Sequence, residues 1–150
     1  MHVYLGADHG GFELKERIKR WLVEWGHTWE DLGNTTYDKG DDYPPFALAV
    51  AEKVGKTRDA IGILACRSAA GMVIAANKVK GVRAITVHDE NSAGLAREKN
   101  DANVVVLSGD WLSEKEAKKI LKVFLETPFS GEERHIRRIK TIEEYENKTP

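Results

Sequence analysis

The chain has 150 residues, 41% of them hydrophobic, and 23 Lys+Arg against 24 Asp+Glu give a formal net charge of −1 at pH 7. That length fits a single domain over residues 1–150, able to bury about 70% of its unfolded surface without a covalent staple. The balanced charge leaves no footprint for nucleic acid or an anionic membrane, one cysteine excludes an internal disulfide and suits a reducing compartment, and neither a signal peptide nor an apolar run near ~18 residues is present, so a soluble cytoplasmic protein is expected.

In chain order, His2–Ala7 reads as a strand, and Gly11–Trp25 as a helix with Phe12, Ile18, Trp21, Leu22 and Trp25 near one face. Thr28–Leu32 is a weaker strand and Asp38–Asp42 a polar loop. Pro44 and Pro45 suit the first turn of a helix running to about Lys53. Ala60–Ala65 is the third strand, and a third helix begins over Met72–Lys78. Val82–Val87 is the fourth strand, Ser92–Lys99 the fourth helix, and Val104–Ser108 the fifth strand. Ser113 and Glu116 form a capping box for a helix to about Leu125, stopped by Thr127-Pro128. Ser130 and Glu133 predict a second capping box for a last helix to about Tyr145, beyond which the tail Asn147–Pro150 is expected to fray.

Apolar strands separated by helices predict a parallel sheet covered on both faces. Right-handed crossovers make it a Rossmann-like, doubly wound α/β sandwich of three layers, with five strands and an extra C-terminal helix. Ligands bind such sheets outside the carboxyl ends of the strands. That rule selects Ala7-Asp8-His9, Cys66-Arg67-Ser68, His88-Asp89 and Ser108-Gly109-Asp110.

Cys66-Arg67-Ser68-Ala69-Ala70-Gly71 is the strongest of these signals. A thiolate at a helix N-terminus is stabilised, the same amides favour an anion, and Ser68 adds a hydroxyl. The competing reading is a small buried hydrophobe, the usual fate of a lone cysteine. A tyrosine-phosphatase loop fails because Met72 stands where its arginine belongs, and a phosphoacceptor site fails because the third strand ends in Cys66 instead of Asp.

Gly6-Ala7-Asp8-His9-Gly10-Gly11 is neither a dinucleotide fingerprint nor a P-loop. It either presents Asp8 to a sugar hydroxyl and His9 to a phosphate, or forms a tight turn with Asp8 as a local cap. Arg134 and Arg138 lie about 40° apart on a helical wheel and suit a phosphate. They equally suit a solvated face balanced by Glu132, Glu133, Glu143 and Glu144. Asp42-Tyr43 suits hydroxyl binding, and Asp42 suits a helix cap. Five scattered histidines give no metal pattern.

Together these segments resemble one family, the ribose-5-phosphate isomerase B / galactose-6-phosphate isomerase subunit family. The resemblance rests on G-A-D-H-G-G-F-E-L-K at Gly6–Lys15, D-Y-P at Asp42–Pro44 and G-I-L-A-C-R-S-A-A-G-M-V-I-A-A-N-K at Gly62–Lys78. It continues in G-V-R-A at Gly81–Ala84, A-R-E-K-N-D-A-N at Ala96–Asn103 and E-T-P-F-S-G-E-E-R-H-I-R-R-I at Glu126–Ile139. It implies an aldose–ketose isomerase of sugar phosphates that uses no metal or cofactor and works as a homodimer or dimer of dimers, with sites between subunits. By the same resemblance Cys66 removes the C2 proton, Ser68 moves the proton at oxygen, and Ala69, Ala70 and Gly71 hold the enediolate. His9, Arg134 and Arg138 match phosphate contacts, and Asp8, Asp42, Tyr43 and Asn100 match sugar contacts.

Three departures from the family pattern stand out. Arg67, Ala69 and Ala70 alter the usual C-G-T/S-G-x-G-M loop, and Arg67 is expected either to crowd the site or to contact phosphate. Lys99 stands at the histidine assigned to ring opening, a poor proton shuttle unless desolvated. Asp110 stands at an arginine and is expected to repel phosphate. The default substrate pair is ribose 5-phosphate and ribulose 5-phosphate; a different sugar phosphate, or a non-catalytic binding protein, are the alternatives.

Overall fold

The computed structural model describes residues 1–148. Its elements alternate as β1 (His2–Ala7), α1 (Phe12–Glu24), β2 (Thr28–Asp31), α2 (Tyr43–Lys56), β3 (Ile61–Cys66), α3 (Ala70–Ala76), β4 (Ala84–Thr86), α4 (Glu90–Asn100), β5 (Val104–Ser108), α5 (Glu114–Glu126) and α6 (Glu133–Asn147). The five strands form one sheet in the order β2-β1-β3-β5-β4, and every pairing is parallel.

The strands bury both faces because their side chains alternate. Val3, Leu5, Ile61, Ile63, Val105 and Leu107 point to one side, where Ile18, Trp21 and Leu22 of α1, Ala93 and Ala96 of α4, and Ile120, Leu121 and Phe124 of α5 cover them. Tyr4, Leu64, Cys66, Val104 and Val106 point to the other, against Ala47, Val50, Ala51 and Val54 of α2 and Met72 and Ala76 of α3. The three-layer sandwich is therefore as the sequence pattern predicts, with α6 as the additional terminal helix.

Several boundaries differ for local reasons. The fourth strand contracts to Ala84–Thr86, whose residues are only half-buried. The fourth helix starts earlier, because Asp89 and not Ser92 is the cap: Ser92 N–H donates to Asp89 Oδ1 at 2.7 Å, and Asp89 N–H donates back to Ser92 Oγ. At α5 the expected box is present, with Glu116 N–H on Ser113 Oγ at 3.2 Å and Ser113 N–H on Glu116 Oε2 at 2.8 Å. The second predicted box does not form. Glu132 stands as the N-cap of α6 without a side-chain cap bond; the Ser130 hydroxyl accepts from Glu132 N–H at 3.2 Å instead of from Glu133, and pairs with Nδ1 of the buried His135 at 2.7 Å. Helix α6 continues to Asn147; Thr149 and Pro150, part of the tail expected to fray, lie outside the described residues.

One buried cation fixes the first helix against the sheet. Lys15 is 1% exposed. Its Nζ donates to both carboxylate oxygens of Asp31 at 2.8 and 2.7 Å and to the Asn34 carbonyl at 2.5 Å. Lys19 joins the same carboxylate. Burial, the largest influence on Asp31, pushes its carboxyl up; Lys15, Lys19 and the Gly33 N–H outweigh it and hold the group below its usual value of 3.8. No helix among the described residues is long and apolar enough to cross a membrane.

Candidate active site

The strand order reverses direction at β1 and β3, since β2 lies outside β1 and β5 lies beyond β3. This is the topological switch point at which open α/β sheets bind ligands. Ala7 pairs with Ala65, and Cys66 pairs with Ser108. Asp8, Cys66 and Ser108 consequently stand abreast at the carboxyl ends of three neighbouring strands.

Cys66 is 5% exposed and sits in the apolar layer beneath α2 and α3. Burial is the strongest influence on its thiol and pushes its pKa above the ordinary value. The N–H groups of Ala69, Met72 and Ser68 aim at the sulfur and pull the other way, while the nearby Asp8 charge adds to the upward push. The balance is upward, so the thiol is favoured in the single chain over the stabilised thiolate that the loop sequence suggests. Desolvation wins because three neutral dipoles compensate only part of the hydration a thiolate loses.

The loop after Cys66 is shaped to deliver those amides. Ala69 adopts a left-handed backbone with φ 70° and caps α3, although its methyl is fully buried. Such a conformation costs a non-glycine residue about 1–2 kcal/mol. Strain of this kind persists only where the surroundings enforce it. Ser68 and Ala70 are exposed and Gly71 is half-buried. A Cβ on Gly71 would lie 2.4 Å from Cζ and 2.8 Å from the hydroxyl oxygen of Tyr43, so the glycine lets the Tyr43 ring close over the start of α3. Asp42 precedes it as the N-cap of α2, exposed and without a side-chain cap bond.

At the end of β1, Asp8 Oδ1 accepts from Gly10 N–H at 2.9 Å and Gly11 N–H at 3.2 Å. Asp8 is therefore the local cap of its turn, and burial raises its carboxyl above 3.8. His9 is part-exposed and lines a cavity of about 370 Å³ with Arg17, Tyr37, Asp110 and Glu114. Cys66 is not among its walls. Nδ1 of His9 and its own backbone N–H both meet Asp41 Oδ1, at 2.7 and 2.9 Å. The Asp41 bond is the largest influence on His9 and raises its pKa above 6.5. Asp8, His9 and Asp41 offer ligand atoms within 4.8 Å of one another, but these carboxylates are already engaged by the turn amides and by His9.

The departures at Arg67 and Asp110 turn out to be one feature. Arg67 Nε donates to Asp110 Oδ2 at 3.1 Å, Asp110 N–H donates to the Arg67 carbonyl at 3.3 Å, and Ser108 Oγ donates to the same carbonyl at 2.5 Å. Asp110 thus pairs with a neighbouring guanidinium. The Arg67 stem lies over Gly10, where a Cβ would meet Arg67 Cγ at 2.1 Å.

The remaining expected residues lie on another surface. Lys99 and Asn100 are exposed at the end of α4. Asn100 and Arg138 line an apolar groove of about 370 Å³ between the β4 edge and α6, with Val82, Ile85 and Ile142. Arg134 is exposed and paired with Glu132 at 2.9 Å. None of these residues shares a cavity with His9. Asp41 escaped the sequence reading; the only signal for it was the Asp41-Asp42 doublet before Tyr43.

A family model described as Ribose/Galactose Isomerase matches residues 3–142. Ribose-5-phosphate isomerase B of Mycobacterium tuberculosis is 43% identical over 146 residues, covering 97% of this chain and 90% of that protein. The crystal structure of ribose-5-phosphate isomerase B from Mycoplasma genitalium with bound ribulose-5-phosphate is 43% identical and superposes with a TM-score of 0.95, covering 99% of this chain and 97% of that one. The type B ribose 5-phosphate isomerase of Trypanosoma cruzi is 41% identical, with a TM-score of 0.93 and 99% of each chain covered.

Proposed function

The chain belongs to the ribose/galactose isomerase family, and from that premise we propose that it interconverts ribose 5-phosphate and ribulose 5-phosphate with Cys66 as the base. The observation that carries this reading is the sulfur at the β1/β3 switch point, faced by the N–H groups of Ser68, Ala69 and Met72. A relative 43% identical holds ribulose-5-phosphate, which supports the substrate pair.

The reaction needs a base at carbon and donors at oxygen. Cys66 as thiolate takes the proton from C2 of the open-chain aldose. The C–H pair becomes the C1=C2 bond, and the charge collects on the former carbonyl oxygen, beside the Ala69–Gly71 loop. Ser68 passes a proton from the C2 hydroxyl to that oxygen, and the thiol returns its proton to C1. Tyr43, Asp42 and Asp8 line the approach to the sugar, and His9 and Arg67 meet the phosphate. Remote phosphate contacts of this kind align the reacting carbons at little further entropic cost.

The reading includes a homodimer or dimer of dimers. Asn100, Arg138 and Arg134 lie apart from Cys66 in one chain, and the groove beside them carries an exposed Ile142 and a half-buried edge strand. A second copy seated there brings its own Cys66 and His9 to the first copy's arginines, with Lys99 beside them. Sedimentation equilibrium tests this; a monomer with full activity would exclude it.

A second reading keeps the chemistry and changes the sugar. It is favoured by the Arg67–Asp110 pair, whose Asp110 lines the cavity beside His9. Proton NMR of the protein with a panel of aldose phosphates separates the two: the first reading expects ribose 5-phosphate to give the highest kcat/KM. Conversion of none of them would leave only a sugar-phosphate binding protein.

A further inference from the structure

We propose that Asp41 is the positioning residue of His9, holding its ring as an imidazolium with Nε2–H presented to the substrate phosphate. This rests on the reading above that His9 meets the phosphate, and it assigns a task to a residue outside the family-matched set.

The geometry is specific. One oxygen of Asp41, Oδ1, accepts from the backbone N–H of His9 at 2.9 Å and pairs with its Nδ1 at 2.7 Å. The other oxygen, Oδ2, accepts from Asn34 Nδ2 at 3.3 Å. Asn34 is held in turn through its carbonyl by the buried Lys15 at 2.5 Å. The Asp41 side chain is 6% exposed while the His9 ring is 28% exposed. The carboxylate is thus fixed from both sides, and the ring it grips still reaches the cavity. Nε2 has no partner among the described residues. Because Nδ1 is committed to a carboxylate, any proton on Nε2 is free to be donated outward.

The carboxylates around the ring outweigh the one cation that opposes its charged form. Asp41 and Asp8 favour the imidazolium, and Arg67 opposes it. Of the other charged groups lining the cavity, Glu13, Asp110 and Glu114 are acidic and Arg17 is basic, a surplus of two carboxylates. His9 is consequently held protonated to higher pH than a free histidine, and a charge-assisted donor to phosphate persists where a free imidazole would have lost it.

The test compares wild type with Asp41→Asn, which keeps shape and loses charge. Nitrogen-15 NMR of the free proteins follows the His9 ring, and calorimetry measures the affinity for ribitol 5-phosphate, which has no carbonyl, across pH. In wild type the affinity falls as pH rises through the His9 titration; in Asp41→Asn both the ring titration and that fall move to lower pH. Near neutral pH the variant binds about tenfold more weakly, the loss of one charge-assisted contact. KM for the reactive sugar phosphate rises likewise while kcat holds. On a His9→Asn background, Asp41→Asn adds nothing. An unchanged His9 titration in the variant, or a shifted titration with unchanged ribitol 5-phosphate affinity, overturns the proposal. Both arms are independent of turnover, so an inactive wild type that behaves as described refutes the isomerase reading and leaves this one standing.

Discussion

Replacing Lys15 with methionine tests how the buried cation links stability to the site. Lys15 is 1% exposed and the Asp31 side chain 7% exposed, with two Nζ–carboxylate bonds at 2.8 and 2.7 Å. Removing one partner of a buried pair costs about 3–5 kcal/mol. Lys19 still reaches Asp31 in the variant, and methionine keeps most of the hydrocarbon volume, so the low end applies: about 3 kcal/mol, or a Tm lower by roughly 6–12 °C at this size. Urea unfolding should show a lower midpoint with an unchanged slope. The pH dependence has a definite sign. The Asp31 pKa lies below its ordinary 3.8 in the folded protein, so its contribution is complete above that value and is lost as pH falls through the native pKa. The gap between wild type and Lys15→Met is therefore wide at neutral pH and closes in acid. A loss under about 1 kcal/mol at neutral pH would mean that water already solvates the pair, and the burial argument would be wrong.

Three further outcomes follow from the site. The productive state pairs a Cys66 thiolate with a His9 imidazolium, and both pKa values are raised; in His9→Asn the opposing titration is gone, so kcat/KM should climb about tenfold per pH unit through neutrality, and a flat profile would dismiss the thiolate. Gly71→Ala puts a Cβ 2.4 Å from Tyr43 Cζ, which swings an exposed ring end aside, so stability should change by under about 1 kcal/mol while KM rises; an unaltered KM would remove Tyr43 from the sugar site. The Arg67–Asp110 pair is mostly exposed, so Asp110→Asn should leave stability within about 0.5 kcal/mol, whereas Arg67→Gly should weaken ribitol 5-phosphate binding, and unchanged or tighter binding would reduce Arg67 to a steric change.

What the sequence disclosed depended on how local the cause was. The strand ends at Ala7 and Ser108, and the third to within one residue of Cys66, were legible because apolar runs stop at turn residues, and the Ser113–Glu116 box because both partners lie in one turn. Ser130 misled because its competitor, the buried His135, becomes a buried ring only after the helix packs. Ser92 was legible as part of a helix start but not as the third residue of it, since Asp89 offers the better acceptor. The raised pKa of Cys66 was invisible for a related reason: small residues around it announce the amides but not the depth of burial. Arg67 and Asp110 read as two separate departures 43 positions apart, and only the adjacency of β3 and β5 makes them a pair. Asp41 was hidden beside the more conspicuous Asp42, because its contact with His9 spans 32 positions.

The central claim is that the Cys66 sulfur takes the proton from C2. Wild type and Cys66→Ala incubated with ribose 5-phosphate in deuterium oxide, and followed by NMR, test it at the reacting carbon. The account expects wild type to exchange C2 hydrogen for deuterium and Cys66→Ala to exchange none, while the variant binds ribitol 5-phosphate with unchanged affinity. Exchange at the wild-type rate in Cys66→Ala would contradict it and assign the base to another group.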